Sequence, residues 1–235
     1  MVDTDEKTVQ LSLLGEPAGE GLVKETGPEE LSLPPGDSKT KAKPQIKPGV
    51  KIDLTLADLK ESCLQCQACG LRHTAKQVVF GAGSPRAAIM LVGEGPGKQE
   101  DEKGEPFVGA AGQLMDKVFA ALEISREEVY ITNIVKCRPP GNRLPTSQEV
   151  GACRPYLQGQ IRLIQPRIIV CLGALASQNL ISPEIRITRH RGKWVHREGI
   201  MLMPTFHPAA LLRDPSRKRP FWEDFKAVIQ AYRQE

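Results

Sequence analysis

The chain has no apolar run that approaches the length of a membrane-spanning helix, which excludes a helical membrane anchor. It has no secretory start, because residues 1–20 are acidic and interrupted by Gly and Pro. It lacks the G-x-x-x-x-G-K-[ST] spacing of a phosphate loop and the G-x-G-x-x-G spacing of a dinucleotide site. It also lacks a second, separate C-x-x-C knuckle, the usual companion of the first in structural zinc sites. What is present is ordinary for a soluble globular protein: 235 residues, 40% of them hydrophobic. That length predicts one domain with an appendage. A thiol set of uneven spacing, with no export signal, predicts a reducing cytoplasm.

Charge divides the chain. Residues 1–50 carry 6 Lys and 9 Asp or Glu, a net charge of −3, whereas residues 51–235 carry 26 basic and 19 acidic residues, a net of +7. A basic domain suits a polyanion, although a solvated basic face accounts for the charge equally well. Residues 1–50 are rich in Pro, Gly, Lys and Glu and show no sustained periodicity, so they read as a disordered tail ending in the basic linker KTKAKPQIKPGV. Its apolar patch, VQLSLLGE at 9–16, is either a short partner-binding motif or a chance cluster. Residues 51–235 form the domain.

The cysteines are the most informative residues. Cys66 and Cys69 form a C-x-x-C pair, while Cys137 (in KCRPPGNR) and Cys153 (in GACRPYL) lie far downstream. A close pair brings two thiolates to one metal centre, and two distant ones close the cage after folding. Such spacing fits an iron–sulfur cluster better than zinc. Buried free thiols are the alternative, since cysteine is often a small core hydrophobe. Cys63 forms an overlapping C-x-x-C with Cys66 and could replace it as a ligand, or stand by as a spare thiol. Cys171, in the apolar run RIIVCLG, reads as core.

Beyond residue 50, strand and helix patterns alternate. Apolar runs at 87–93, 129–135, 168–172 and 200–203 read as strands, and apolar residues at helical spacing place helices over 54–63, 110–122, 147–164 and 221–232. Ser147 is the expected N-cap of the third helix. Alternation of this kind predicts an α/β fold with helices on both faces of a parallel sheet. Ligands of such sheets bind beyond the carboxyl ends of the strands, where GEGPG, Asn133 and FHPAALLR fall. The Gly-rich segment 93–109 lets backbone approach a planar ligand closely. Glu94, Glu100 and Asp101 supply carboxylates there, and Phe107 an aromatic face. Asn133 can present a donor and an acceptor to an amide edge, and His207 is a candidate acid or hydrogen-bond donor. Taken singly, each has a plainer reading as a solvated carboxylate, a core ring or a structural histidine; their joint placement at the strand ends is what points to a site.

Together GEGPG…GEPFVGAAGQLMD, VYITNIVKCRPPGNR, the C-x-x-C pair and FHPAALLR resemble the iron–sulfur uracil-DNA glycosylases, often called family four. The resemblance covers about residues 54–235 in unbroken order. It implies a three-layer αβα fold with a central four-stranded parallel sheet, and hydrolysis of the N-glycosidic bond of deoxyuridine to leave an abasic site. It also implies a [4Fe-4S] cluster on Cys66, Cys69, Cys137 and Cys153, structural in role. The distance from Cys69 to VVFG favours Cys66 over Cys63. Carried over residue by residue, Phe107 stacks on the extruded base, Asn133 reads its Watson–Crick edge, and His207 donates to the departing uracil O2. Gly95 and Asn142 line the base site, Leu211 is the wedge that fills the emptied stack, and Arg213, Arg217, Lys218 and Arg219 hold phosphates. Gly95 stands where the best-known uracil glycosylases carry a water-orienting Asp, leaving Glu94 or Glu100 for that task, with Glu100 favoured or else acting as a steric gate against thymine. Some relatives trap uracil on a histidine in an inserted KRRIH; residues 138–148 read RPPGNRLPTSQ, so turnover is expected. The implied partner is uracil-containing DNA, single- or double-stranded, met by a monomer whose tail is a candidate contact for a repair or replication protein. The alternative is a non-catalytic nucleic-acid-binding or polymerase-associated module, which would need the basic surface but neither Asn133 nor His207.

Overall fold

The computed structural model describes residues 54–234. The tail, its apolar patch and the linker lie outside the described residues. Six strands form one sheet: β1 (Ala82–Gly83), β2 (Ile89–Gly93), β3 (Tyr130–Asn133), β4 (Ile168–Leu172), β5 (Val195–Arg197) and β6 (Ile200–Thr205). Their order across the sheet is β1-β3-β2-β4-β6-β5. The inner four, β3-β2-β4-β6, run parallel, as the sequence predicts. The expected four-stranded count is corrected by two antiparallel edges: β1 pairs with β3, and β5 forms a hairpin with β6. Strands of two and three residues are too short to show a period of two.

The helices are α1 (Leu56–Leu64), α2 (Leu71–Thr74), α3 (Lys98–Lys103), α4 (Ala110–Ala121), α5 (Ser147–Ile164), α6 (Ala174–Leu180), α7 (Ile187–His190), α8 (Pro208–Arg213) and α9 (Lys218–Arg233). Alternate strand residues feed two cores. Met90, Val92, Ile169 and Cys171 face a layer containing Leu59, Cys63, Val150 and Leu157 of α1 and α5. Ile89, Leu91, Ile168 and Val170 face Met115, Phe119, Phe221 and Phe225 of α4 and α9. Burial on both faces explains why the strands read as continuous apolar runs. Thr146, not Ser147, caps α5: its hydroxyl accepts the Glu149 N–H at 3.2 Å while the Glu149 carboxylate accepts the Thr146 N–H at 2.7 Å. The pattern Thr-Ser-Gln-Glu contains this reciprocal box.

Candidate active site and thiol cavity

At the carboxyl end of β2 the backbone comes unusually close to its neighbours. A Cβ on Gly93 would lie 2.4 Å from the Asn133 side-chain oxygen and 2.8 Å from the Phe107 ring, so only glycine fits. The loop that follows is held by Glu100. Its Oε2 accepts the Gly97 N–H at 3.1 Å, and its Oε1 accepts the N–H groups of Val108 and Gly109 at 2.9 and 2.8 Å. Both carboxylate oxygens are therefore committed to backbone. Phe107 is buried with φ of +53°, a left-handed conformation that is costly for an aromatic residue. Arg126 fixes it there, donating to the Phe107 carbonyl at 2.9 Å and pairing with Asp116 at 2.8 Å.

His207 follows β6 directly. Its Nδ1 accepts the Ala209 N–H at 3.2 Å and caps α8, which leaves the proton on Nε2. Burial, reinforced by the Arg213 charge, lowers its pKa to about 4, so the ring is neutral. Its centroid lies 5.5 Å from that of Phe107. The turn is anchored from α9: Thr205 Oγ1 donates to Asp224 at 2.5 Å, and Arg191 Nε donates to the same carboxylate at 2.9 Å. Nothing local in the sequence signals this non-local tie, or the one from Arg126.

These elements enclose a cavity of about 290 Å³, at the small end of ligand pockets. Glu94, Gly95, Glu100, Phe107, Asn133, Asn142, His207 and Arg213 all line it, together with Arg143, which the sequence reading missed. Asn133 is 1% exposed, and its side-chain oxygen meets no donor. Burial raises the pKa of Glu94 and the Arg213 charge opposes it. Asn142 is left-handed, at φ of +56°, and accepts from Arg138 Nε at 2.8 Å. Arg143 binds both oxygens of Glu149, at 2.7 and 2.8 Å, and this pairing holds the Glu149 carboxyl down at about 2.

One expected residue lies in the core: Leu211 is 1% exposed and packs in the α4–α9 layer, so it does not present its side chain at the surface. Its neighbour Leu212 is 50% exposed. Helical geometry decides this: α8 turns one of two adjacent leucines inward and the other to solvent. Of the basic residues, Arg213 is exposed beside the cavity. Arg217 is engaged, paired with Asp214 at 2.8 Å and lying 5.2 Å over the Phe206 ring. Lys218 is half-buried and Arg219 exposed on the first turn of α9.

A second, small cavity lies across the sheet from the α4–α9 layer. Cys66, Cys69, Cys137 and Cys153 line it, with Cys63 and the apolar walls Leu71, Val78, Val135 and Tyr156. Cys63 continues the buried stripe of α1 from Leu59, one helical turn away. Burial pushes the Cys63 and Cys137 thiols up to about 12, and neighbouring thiols add to the Cys137 shift. Two backbone donors already point at sulfur: Lys136 N–H to Cys153 Sγ at 3.2 Å and Ala68 N–H to Cys66 Sγ at 3.4 Å. Among the described residues, no three His, Cys, Asp or Glu side chains are grouped to hold a single metal ion. Beside this cavity sits Lys136, 1% exposed, donating through Nζ to Thr132 Oγ1, the Asn133 carbonyl and Gln160 Oε1 at 2.5, 2.7 and 2.7 Å.

Residues 80–226 match the family described as the Uracil DNA glycosylase superfamily. A type-4 uracil-DNA glycosylase of Archaeoglobus fulgidus is 44% identical over 182 residues, covering 74% of this chain and 92% of that protein. One from Thermotoga maritima is 44% identical over 164 residues, covering 68% and 84%. A DNA polymerase of Bacillus phage SP01 is 36% identical over 149 residues, 63% of this chain but 16% of the polymerase. With the strand-end cavity conforming to the order of motifs along the chain, these similarities settle the family: the chain belongs to the type-4 uracil-DNA glycosylases, DNA-repair hydrolases that excise uracil.

Proposed function

We propose that the cavity at the strand ends holds extruded uracil, with Asn133 as its reader and His207 as the donor to the leaving group. The orphan oxygen of Asn133 carries this reading. A buried acceptor without a donor costs roughly 1–3 kcal/mol, and uracil N3–H supplies the missing donor while O4 accepts from the amide nitrogen. Cytosine presents the reverse pattern at both atoms. Phe107, fixed in its strained conformation, gives the base a flat wall. The Nε2–H of neutral His207 stabilises negative charge developing on O2 as the glycosidic bond breaks, a gain made only in the transition state. Asn133→Asp is expected to depress uracil release strongly and to give measurable release from cytosine-containing DNA, because a protonated carboxyl reverses the hydrogen-bond pattern. Uracil release at the parental rate would overturn the assignment of Asn133.

Glu94 is the better candidate to orient water. It lines the cavity with a carboxylate that burial makes more basic. The oxygens of Glu100 are spent on three backbone donors, so Glu100 serves as the bracket of the base-site loop. Gly95 packs closely against the loop after β3, since a Cβ there would come 2.9 Å from the Val135 side chain. Glu94→Gln is expected to cut the single-turnover rate on the order of 10²-fold, within the usual range for a general base, while uracil binding persists. Glu100→Gln is expected to loosen the loop and raise KM. A larger chemical-step loss in the Glu100 variant than in the Glu94 variant would reverse the two roles.

Leu212 takes the wedge role in place of Leu211. Arg213 and Arg219 meet phosphates, positioning DNA without reading sequence. The thiol cavity suits a [4Fe-4S] cluster held by Cys66, Cys69, Cys137 and Cys153. Its supports are four sulfurs from three chain segments, an apolar wall, two N–H···S donors and a buried lysine as countercharge. When bound, the cluster would supply a cross-link between these segments, and glycosidic hydrolysis needs no electron from it. Residues 51–235 form the catalytic domain in this reading, acting as a monomer in the cytoplasm, with residues 1–50 available to a repair or replication partner.

A further inference from the structure

Among the described residues the exposed large hydrophobic side chains are Leu64, Leu144 and Leu212. Two of the three directly follow or precede residues at the mouth of the uracil cavity: Leu144 comes after Arg143, and Leu212 comes before Arg213. Leu64 instead closes α1, two residues before Cys66 of the thiol cavity. Leu144 is 64% exposed, the most of the three, yet the chain beneath it is fixed. Arg143 grips both oxygens of Glu149 and donates to the Leu144 carbonyl at 3.0 Å. Pro145 is buried, and a following proline confines Leu144 to extended conformations. The turn before it, Pro140–Asn142, is locked by left-handed Gly141 and Asn142. An isolated exposed leucine is ordinary on a protein surface; one held out on a clamped loop at a cavity mouth is presented for contact.

We propose that Leu144 is a second stack-contacting residue, packing on the base next to the extruded uracil in the same strand, on the side of the gap opposite Leu212. This inference rests on the reading of the cavity as the uracil site. An extruded nucleotide draws its own strand past the mouth, so residues flanking Arg143 and Arg213 meet its neighbours on either side. Extrusion unstacks both neighbouring base faces, and an apolar side chain against each keeps it from water. Proteins that unstack DNA commonly insert such apolar wedges. Because the contact lies within one strand, it operates on single- and double-stranded substrate alike.

The test uses the full chain and its Leu144→Ala, Leu144→Met and Leu212→Ala variants. Single-turnover uracil release is followed on single-stranded and duplex DNA, with 2-aminopurine placed beside the uracil to report unstacking. Leu144→Ala is expected to slow release about tenfold on both substrates and to change the 2-aminopurine signal. Inhibition by free uracil should stay at the parental level, since the cavity itself is untouched. Leu144→Met should retain the parental rate within about twofold. Slowing on duplex alone would overturn the proposal by placing the contact on the opposite strand. So would a parental rate and signal in Leu144→Ala beside a slow Leu212→Ala. Parental rates in both alanine variants would instead sink the uracil-site reading on which the proposal stands.

Discussion

Replacing His207 by alanine is expected to lower single-turnover uracil release by roughly 10²–10³, the usual loss for one donor to a developing oxyanion. Affinity for uracil-containing DNA should change little, because the bond from Nε2 strengthens only as charge moves onto the base. The tautomer follows from the fold: the Ala209 N–H occupies Nδ1, so the remaining proton sits on Nε2. With its pKa lowered to about 4, the ring stays a neutral donor at all pH values above that, and its titration should leave no step in the rate between about pH 5 and 8. Stability behaves differently. The unfolded chain takes up a proton on this histidine below its ordinary value of 6.5, while the folded chain resists until about 4. The unfolded state therefore binds more protons across that window, and folding stability is lost as pH falls through it. His207→Ala should flatten that part of the stability profile. A rate within a few-fold of the parent would refute the donor role, and an unchanged acid stability profile would refute the buried neutral ring.

Where the sequence was legible, a local pattern carried the information. Residues 168–172 read as a strand and are one, because a strand buried on both faces announces itself as an unbroken apolar run. The same holds for the β2 and β3 runs that deliver Gly93 and Asn133 side by side, while α5 shows itself through apolar residues at helical spacing. Where it failed, the deciding contact came from elsewhere in the fold. β1 and β5 exist because β3 and β6 offer them edges. The family resemblance points to Leu211, but packing against the α4–α9 layer turns that side chain inward and leaves Leu212 outside. Glu100 looked like a base because it is an acid near the site. Only the positions of the Gly97, Val108 and Gly109 N–H groups show both its oxygens occupied. No local pattern marks Lys136 as buried, yet it is 1% exposed and bonded to Thr132, Asn133 and Gln160. The Thr146 cap is local: Thr146 and Glu149 three residues on form a capping-box pattern in the sequence itself.

The thiol cavity gives the second large effect. Alanine at any one of Cys66, Cys69, Cys137 or Cys153 is expected to abolish the brown colour of anaerobically purified protein, remove its iron and sharply reduce the soluble yield. The loss should be common to all four because they come from three segments, the turn after α1, the loop after β3 and α5, and close one cavity between them. A cluster bound there would tether those segments to one another, and an incomplete ligand set would release it. The loop follows Asn133, the last residue of β3, so a freed Cys137 would also loosen the residue proposed to read uracil. Two controls separate ligation from burial. Cys171 lies within β4 at 0% exposure, with burial alone raising its pKa. Cys171→Ala should therefore keep colour and iron despite its core position. Cys63 lines the cavity but belongs to the buried stripe of α1, so Cys63→Ala should retain iron with a modest fall in thermal stability of the kind a small core truncation produces. Should Cys63→Ala lose iron while Cys66→Ala keeps it, the ligand register shifts by one C-x-x-C step. Stoichiometric zinc without iron in protein prepared free of oxygen would overturn the cluster altogether, since the spacing argument separates the two metals only through the chemistry of what four thiolates close around.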